Sequence, residues 1–285
     1  MDNSKLLEQY AKGLASEGNT RTLYLRFARD FLEYAEGDFS KEKVNNYLDH
    51  LRKRHKYSDG TVNFAFRIIR TLFQRNGLEW PFRRGEAPAI REDSIQAPAL
   101  HPNTIGRIIE TVRKNGEADE AAFIALSTTY GLRRVEMMEL TQNDVRIRDR
   151  TIHIATAKHG RERTHLIPPE IIPYLERYDF NQRVSEFGLF VLWHRIEYKI
   201  GLNHTDQVGW HSIRRTLNTL LLRRLPEATV MSFLRWKQRT SSHMPFRYSA
   251  IRFVGEEGVT TEVIGEALDV DNEVFQVHPF LEYWR

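Results

Sequence analysis

The sequence predicts a mainly α-helical protein with a small antiparallel β-sheet, organised as two domains. Three observations carry this. The first eighty residues keep a helical period throughout. The stretch PFRRGEAPAIREDSIQAPALHP, 81–102, has four prolines and no period. Near 151–166 the apolar period drops from 3.6 to 2, and helices then resume.

In residues 5–16, Leu7, Ala11 and Leu14 recur at helical spacing. After Asn19 and Thr20, which suit a cap, Leu23, Phe27, Phe31 and Ala35 repeat the pattern. A third helix follows Ser40, with Val44, Leu48 and Leu51 inward. A fourth, 61–76, buries Ala65, Ile69, Leu72 and Phe73 and stops at Gly77, which suits the left-handed turn that ends helices. Four short helices make a compact bundle over residues 1–82. Its outer side carries LRKRHK (51–56), Arg67, Arg70 and Arg75, read either as solvated charge or as contacts to a nucleic-acid backbone.

Residues 83–100 read as a linker, 101–258 as a second domain and 259–285 as a tail. The second domain opens with a helix after Asn103 and Thr104, burying Ile105, Ile108, Ile109 and Val112; another, 119–130, ends at Gly131. GLRRVEMMEL starts a third. A β-hairpin follows, in which Ile152 and Ile154 are answered by Thr164 and Leu166 across the polar turn AKHGRE. Helices resume near Pro169 and are expected to dominate from His211 onward.

Composition narrows the function. The chain of 285 residues is long enough for two cores, and no apolar run approaches the roughly 18 residues of a membrane span. The first twenty residues lack the pattern of a secretory signal, so an intracellular, cytoplasmic home is expected. Absence of cysteine excludes disulfides, thiolate metal sites and cysteine nucleophiles. A net charge of +4 permits an anionic partner. The positive charge crowds between Lys199 and Arg252, whereas the segment after Gly255 is acidic, so one segment suits phosphates and the other is repelled by them.

Arg133 follows a helix-ending glycine and opens the next helix, where an anion is favoured, and Glu136 lies one turn on to hold its guanidinium; a plain surface pair is the other reading. Lys158 sits at the hairpin tip. In GWHSIRRTLNTLLLRR, His211 and Arg214 are three apart on one helical face and can both donate to a phosphodiester. Arg215 on the same helix, and Arg239 beyond it, read as nucleic-acid contacts or solvated charge. FLRWKQRTSSHMPFRYS adds Trp236 and then Tyr248, a phenol among cations that would have to be activated before it could act as a nucleophile. His153, His159 and His165 cluster on the hairpin without a carboxylate or cysteine to complete a metal set, and read as facing DNA or solvent. HExxH, Walker and GxSxG patterns are missing, and no metal is expected in the chemistry.

In chain order stand Arg133, Lys158, His211, Arg214, Trp236 and Tyr248, and the series resembles the tyrosine recombinases of the phage-integrase and Xer type. YGLRRVEMMELTQNDV resembles the family's first box, TAKHGRERTHLIP its lysine hairpin and HSIRR its His-x-x-Arg box; the helical start resembles its core-binding domain. The family's usual last box is Leu-Gly-His with tyrosine nine residues later. Here Leu234, Arg235 and Trp236 stand in its place and Tyr248 lies twelve residues on, with His243 in the longer loop as an alternative donor.

The resemblance implies a site-specific DNA recombinase acting through a 3′-phosphotyrosine and a Holliday junction, with no cofactor. Tyr248 would be the nucleophile, Arg133 and Arg214 would bind the scissile phosphate, and Lys158 would protonate the leaving 5′-oxygen. His211 and Trp236 would assist. It also implies a clamp on duplex DNA, a tetramer on two sites with the tail docking on a neighbouring protomer or on its own domain, and association with the nucleoid. A type IB topoisomerase or telomere resolvase, or a DNA-binding relative without catalysis, are the alternatives.

Overall fold

The computed structural model describes residues 2–15, 18–83, 85–86, 98–155, 161–205, 208–236, 250–255, 258–263 and 267–285. The chain falls into two compact units, Met1–Gln96 and Ala97–Arg285. Most of the expected linker, and Lys158, Arg239, His243 and Tyr248, lie outside the described residues.

The first unit holds α1 (Asn3–Lys12), α2 (Gly18–Ala35), α3 (Lys41–Lys53) and α4 (Asp59–Arg75). Short polar side chains set three of the starts: Asp2 accepts from Ser4 N, Ser40 from Lys43 N and Ser58 from Thr61 N. Ser58 starts α4 two residues earlier than the apolar period alone indicated. Asn19 and Thr20 lie inside α2 rather than capping it. Phe27, Phe31, Val44, Leu48, Ile69, Leu72 and Phe73 fill the core as expected, but Leu23 faces solvent, 39% exposed. Arg67 and Arg70 are exposed on α4.

The second unit begins with α5 (Pro102–Asn115), whose cap is His101 rather than Asn103 or Thr104, with Pro102 filling the first helical position. Next comes α6 (Ala118–Tyr130), apolar almost all round and buried along its length apart from its first two residues, so it runs through the middle of the unit. After α7 (Arg134–Glu139), strands β1 (Val145–Arg146), β2 (Thr151–Ile154) and β3 (Arg163–Leu166) form an antiparallel sheet in that order. The register pairs Ile152 with His165 and Ile154 with Arg163. Buried Ile152 and Ile154 therefore share their face with His165 and Arg163, not with Thr164 and Leu166. A shift of one residue exchanges the two faces of a strand, and it turns His165 into the core rather than toward DNA or solvent.

The chain continues through α8 (Ile172–Leu175), α9 (Glu186–Ile200), α10 (Trp210–Leu221) and α11 (Glu227–Phe233). Helix does not dominate to the end: β4 (Ala250–Gly255) and β5 (Gly258–Val263) form a hairpin, Ala250 opposite Val263, before α12 (Ala267–Gln276) and a 3-10 turn (Leu281–Trp284). The VTTEV string carried that strand signal. Val270, Val274, Phe280, Leu281 and Trp284 join the core that contains Phe123, Ile152 and Phe233. Residues 267–285 thus pack on their own unit. Among the described residues no helix is long and apolar enough to cross a membrane.

Candidate active site

The site is organised by the carboxyl end of α6. A helix leaves its last carbonyls without partners and carries partial negative charge there. Gly131 ends α6 at φ +57°, and a Cβ added to it would lie 3.1 Å from Leu234 Cδ2 and 3.3 Å from Arg214 Cγ, so conformation and space both call for glycine. The exposed carbonyls are then taken up from three distant segments. His278 Nε2 donates to Thr129 O at 3.0 Å, Arg235 Nη1 to Tyr130 O at 3.3 Å and Arg214 Nη1 to Gly131 O at 2.5 Å.

Arg214, 2% exposed, also donates from Nη2 to Leu234 O at 2.5 Å, tying α10 to the end of α11. Trp236 lies with its ring 5.6 Å from this guanidinium. Burial, then repulsion by Arg235 and Arg133, holds the proton affinity of Arg214 well below its ordinary value, with Glu136 opposing.

Arg133 caps α7, one position before the helix proper. Its backbone N–H donates to Glu136 Oε2 at 2.9 Å and its Nη1 to Oε1 at 2.5 Å. The expected pair is present, and it is no surface pair, because Glu136 is 1% exposed while the Arg133 side chain keeps 23%. Burial by itself would raise the Glu136 carboxyl; Arg235, Arg133 and Arg214 outweigh it and hold the group below its ordinary value. The carboxylate stays charged and aims one partly exposed guanidinium outward.

The second cation on Glu136 stands out in the sequence only as the middle residue of the Leu234–Arg235–Trp236 box within a basic segment. Arg235 is fully buried and donates from Nη2 to Glu136 Oε2 at 2.9 Å and from Nη1 to His165 Nε2 at 3.1 Å. It occupies the middle of the Leu234–Arg235–Trp236 box with φ +59°, a conformation a glycine enters freely and an arginine only at about 1 kcal/mol. The guanidinium contacts offset that strain. Because Nε2 of His165 accepts, its Nδ1 carries the proton and donates to Asp271 Oδ1 at 2.9 Å. Burial lowers His165 to about 4, chiefly against its hydrogen bond to Asp271. Asp271 also accepts from Leu166 N at 2.7 Å. A buried relay therefore runs from α12 through β3 and the end of α11 to Arg133.

His211, in the first turn of α10, is exposed. Desolvation, then the charges of Arg215, Arg214 and Arg133, lowers it from its ordinary value, so the ring is neutral near pH 7 and free to exchange a proton. Arg133, Glu136, His211, Arg214 and Trp236 are thus brought together. Arg215 instead reaches Pro98 O at 3.4 Å. What the arrangement can do is hold a doubly bonded anion against fixed cations beside a neutral imidazole.

The Phage integrase family matches residues 98–251, more than half of the chain. Tyrosine recombinase XerA of Pyrococcus furiosus is 26% identical over 238 residues, covering 78% of this chain and 81% of that protein. The fold matches that of a λ integrase (75–356) dimer bound to a COC′ core site with a TM-score of 0.65 at 14% identity, over 85% of this chain and 98% of the other. A λ integrase tetramer bound to a Holliday junction matches at 0.64 and 14%, over 84% and 75%. A matched region that spans the end of α6, the sheet and the helix of His211 and Arg214 places this chain in the phage integrase family of tyrosine recombinases.

Proposed function

We propose that this protein is a site-specific DNA recombinase of the integrase or resolution type, with Tyr248 as its nucleophile. The observation that carries the reading is the convergence of Arg133, oriented by a buried carboxylate, with Arg214, His211 and Trp236 at the end of α6.

The phenolic oxygen of Tyr248 attacks the scissile phosphorus as the bond to the 5′-oxygen breaks, leaving a 3′-phosphotyrosine and a free 5′-hydroxyl. Arg133 and Arg214 contact the nonbridging oxygens, where charge grows in the transition state; each donor is worth about a hundredfold to a thousandfold in rate. Lys158 protonates the leaving 5′-oxygen. His211 exchanges the proton lost by Tyr248, and Trp236 packs over Arg214 and donates from its indole nitrogen. The phosphodiester energy is kept in the phosphotyrosine, so the reverse attack by a 5′-hydroxyl rejoins a strand.

The partner is double-stranded DNA, met by Arg67 and Arg70 of the core-binding domain, 1–82, and by Arg215 and Arg239 of the catalytic domain, 101–258. The working assembly is a tetramer on two sites with a Holliday junction between strand exchanges and with the tail, 259–285, contributing to protomer contact, in a cytoplasmic, nucleoid-associated setting.

Incubation with a nicked suicide duplex tests the reading. The wild-type protein becomes covalently attached to DNA and Tyr248→Phe does not; attachment that persists in Tyr248→Phe overturns the assignment. A two-site substrate then yields a four-way junction.

A further inference from the structure

Among the described residues of the second unit each buried carboxylate has a guanidinium or ammonium partner, with one exception. Glu120 meets Arg195 and Lys199, Glu136 meets Arg133 and Arg235, and Asp271 meets Arg163. Glu197, 3% exposed, has no lysine or arginine within ion-pair distance among the described residues. Its neighbours are two imidazoles. His194 Nδ1 lies 2.9 Å from Oε2, and His204 Nδ1 lies 3.0 Å from Oε2 and 3.3 Å from Oε1. A buried carboxylate without a cation is unfavourable, and the two ring nitrogens with the carboxylate form a donor set that attracts one.

We propose that Glu197, His194 and His204 bind a divalent cation of the zinc class, apart from the recombination site. The three ligand atoms lie within 4.8 Å of one another. Tetrahedral zinc with bonds of about 2.0–2.1 Å places its ligand atoms about 3.3 Å apart, so both imidazole-to-carboxylate separations need move by no more than about half an ångström. The backbone brings the set together. His194 and Glu197 share a face of α9 three residues apart, and Gly201 at φ +65° reverses the chain, with Leu202 N donating to Glu197 O at 2.9 Å, so that the loop bearing His204 folds back over the last turn. Trp193 Nε1 donates to Glu197 Oε1 at 2.7 Å, the kind of outer contact that fixes a ligating carboxylate. Arg195 and Lys199, the cations on the same helix, are committed to Asp119 and Glu120 and do not oppose an incoming ion. His204 is exposed, and water completes the coordination on that side. A mixed nitrogen and oxygen set favours zinc over magnesium or calcium. The bound ion ties the loop after α9 to its helix, and that loop leads into α10, which carries His211.

The test uses the tag-free full chain, stripped with chelator and titrated with zinc sulfate at about pH 7.5. Calorimetry gives one equivalent bound with a dissociation constant of about 10 µM or tighter, cobalt gives the visible bands of a tetrahedral site, and the melting temperature rises with zinc. His204→Ala, a change on an exposed loop, weakens binding at least tenfold, as does His194→Ala; His153→Ala on the hairpin leaves it unchanged. No saturable binding up to about 100 µM zinc, or equal binding by wild type and His204→Ala, overturns the proposal.

Discussion

The two units bury different chemistry. Among the described residues of the first unit the core is apolar and aromatic, with Phe31 edge-on to Tyr47 and Phe73 edge-on to Trp80, and no buried residue there is charged. In the second, Glu120, Glu136, His165, Glu197, Arg214, Arg235, Asp271 and His278 are all buried. Replacing buried ionic groups by apolar ones of similar volume is often neutral or stabilising, so stability alone does not explain such a core. The difference teaches that the first unit is built to stand and present a surface, while the second gives up apolar packing to hold two arginines and a carboxylate in fixed places.

The widest gap between the units is opened by Arg235→Met. It leaves Tyr130 O, His165 Nε2 and part of the Glu136 carboxylate without a donor, and should lower unfolding free energy by about 3–5 kcal/mol in urea titration. Adding Glu136→Gln should recover part of that loss. A cost below about 1 kcal/mol for the single change would mean that this core is no more demanding than the apolar one.

Arg133→Gln separates chemistry from architecture. Its side chain is partly exposed and Glu136 keeps Arg235, so the stability loss should be smaller than for Arg235→Met. Covalent adduct formation should nevertheless fall about a hundredfold to a thousandfold, measured by single-turnover capture on the suicide duplex.

Acid sharpens the contrast further. Burial holds both His165 and His278 at about 4, below the ordinary 6.5. The unfolded chain takes up these protons first, so the stability they contribute is complete above pH 6.5 and drains as pH falls toward 4. Each histidine adds a slope of about 1.4 kcal/mol per pH unit within that window. His278→Asn should remove about one proton from the slope, read from urea melts between those limits. The first unit buries no histidine among its described residues, so the acid transition should begin in the second.

The smallest effect belongs to the surface of α4. Replacing Arg67 and Arg70 together by alanine should leave the melting temperature nearly unchanged and reduce the slope of log affinity for duplex DNA against log salt by about 2. A fluorescence anisotropy series over salt concentration measures it.

How much of this was legible follows from the same contrast. Helices α3, α4 and α5 could be read from apolar spacing, and Gly77 and Gly131 from their place after a helix, because an apolar core writes its period into the chain. Arg133 with Glu136 was visible for a related reason: both partners lie on one short helix and its cap. Arg235 was not, since its partners Glu136, Tyr130 and His165 are far away in sequence and an arginine beside Lys237 and Arg239 looks solvated. His165 was misplaced by one strand position, which the alternation alone could not fix when Thr164 and Leu166 also fit a two-residue period. The alternation of β4 and β5 is short, six residues in each strand, and follows directly on a cationic, tyrosine-bearing stretch.

The three carbonyls at the end of α6 are met by side chains from positions 214, 235 and 278, and no local segment supplies more than one. Such a junction closes late in folding, since contacts spanning this much chain bring the largest loss of chain freedom before any return. Without α12 and the turn that follows it the unit lacks Asp271 and His278, so the end of α6 is fully met only once those segments have docked.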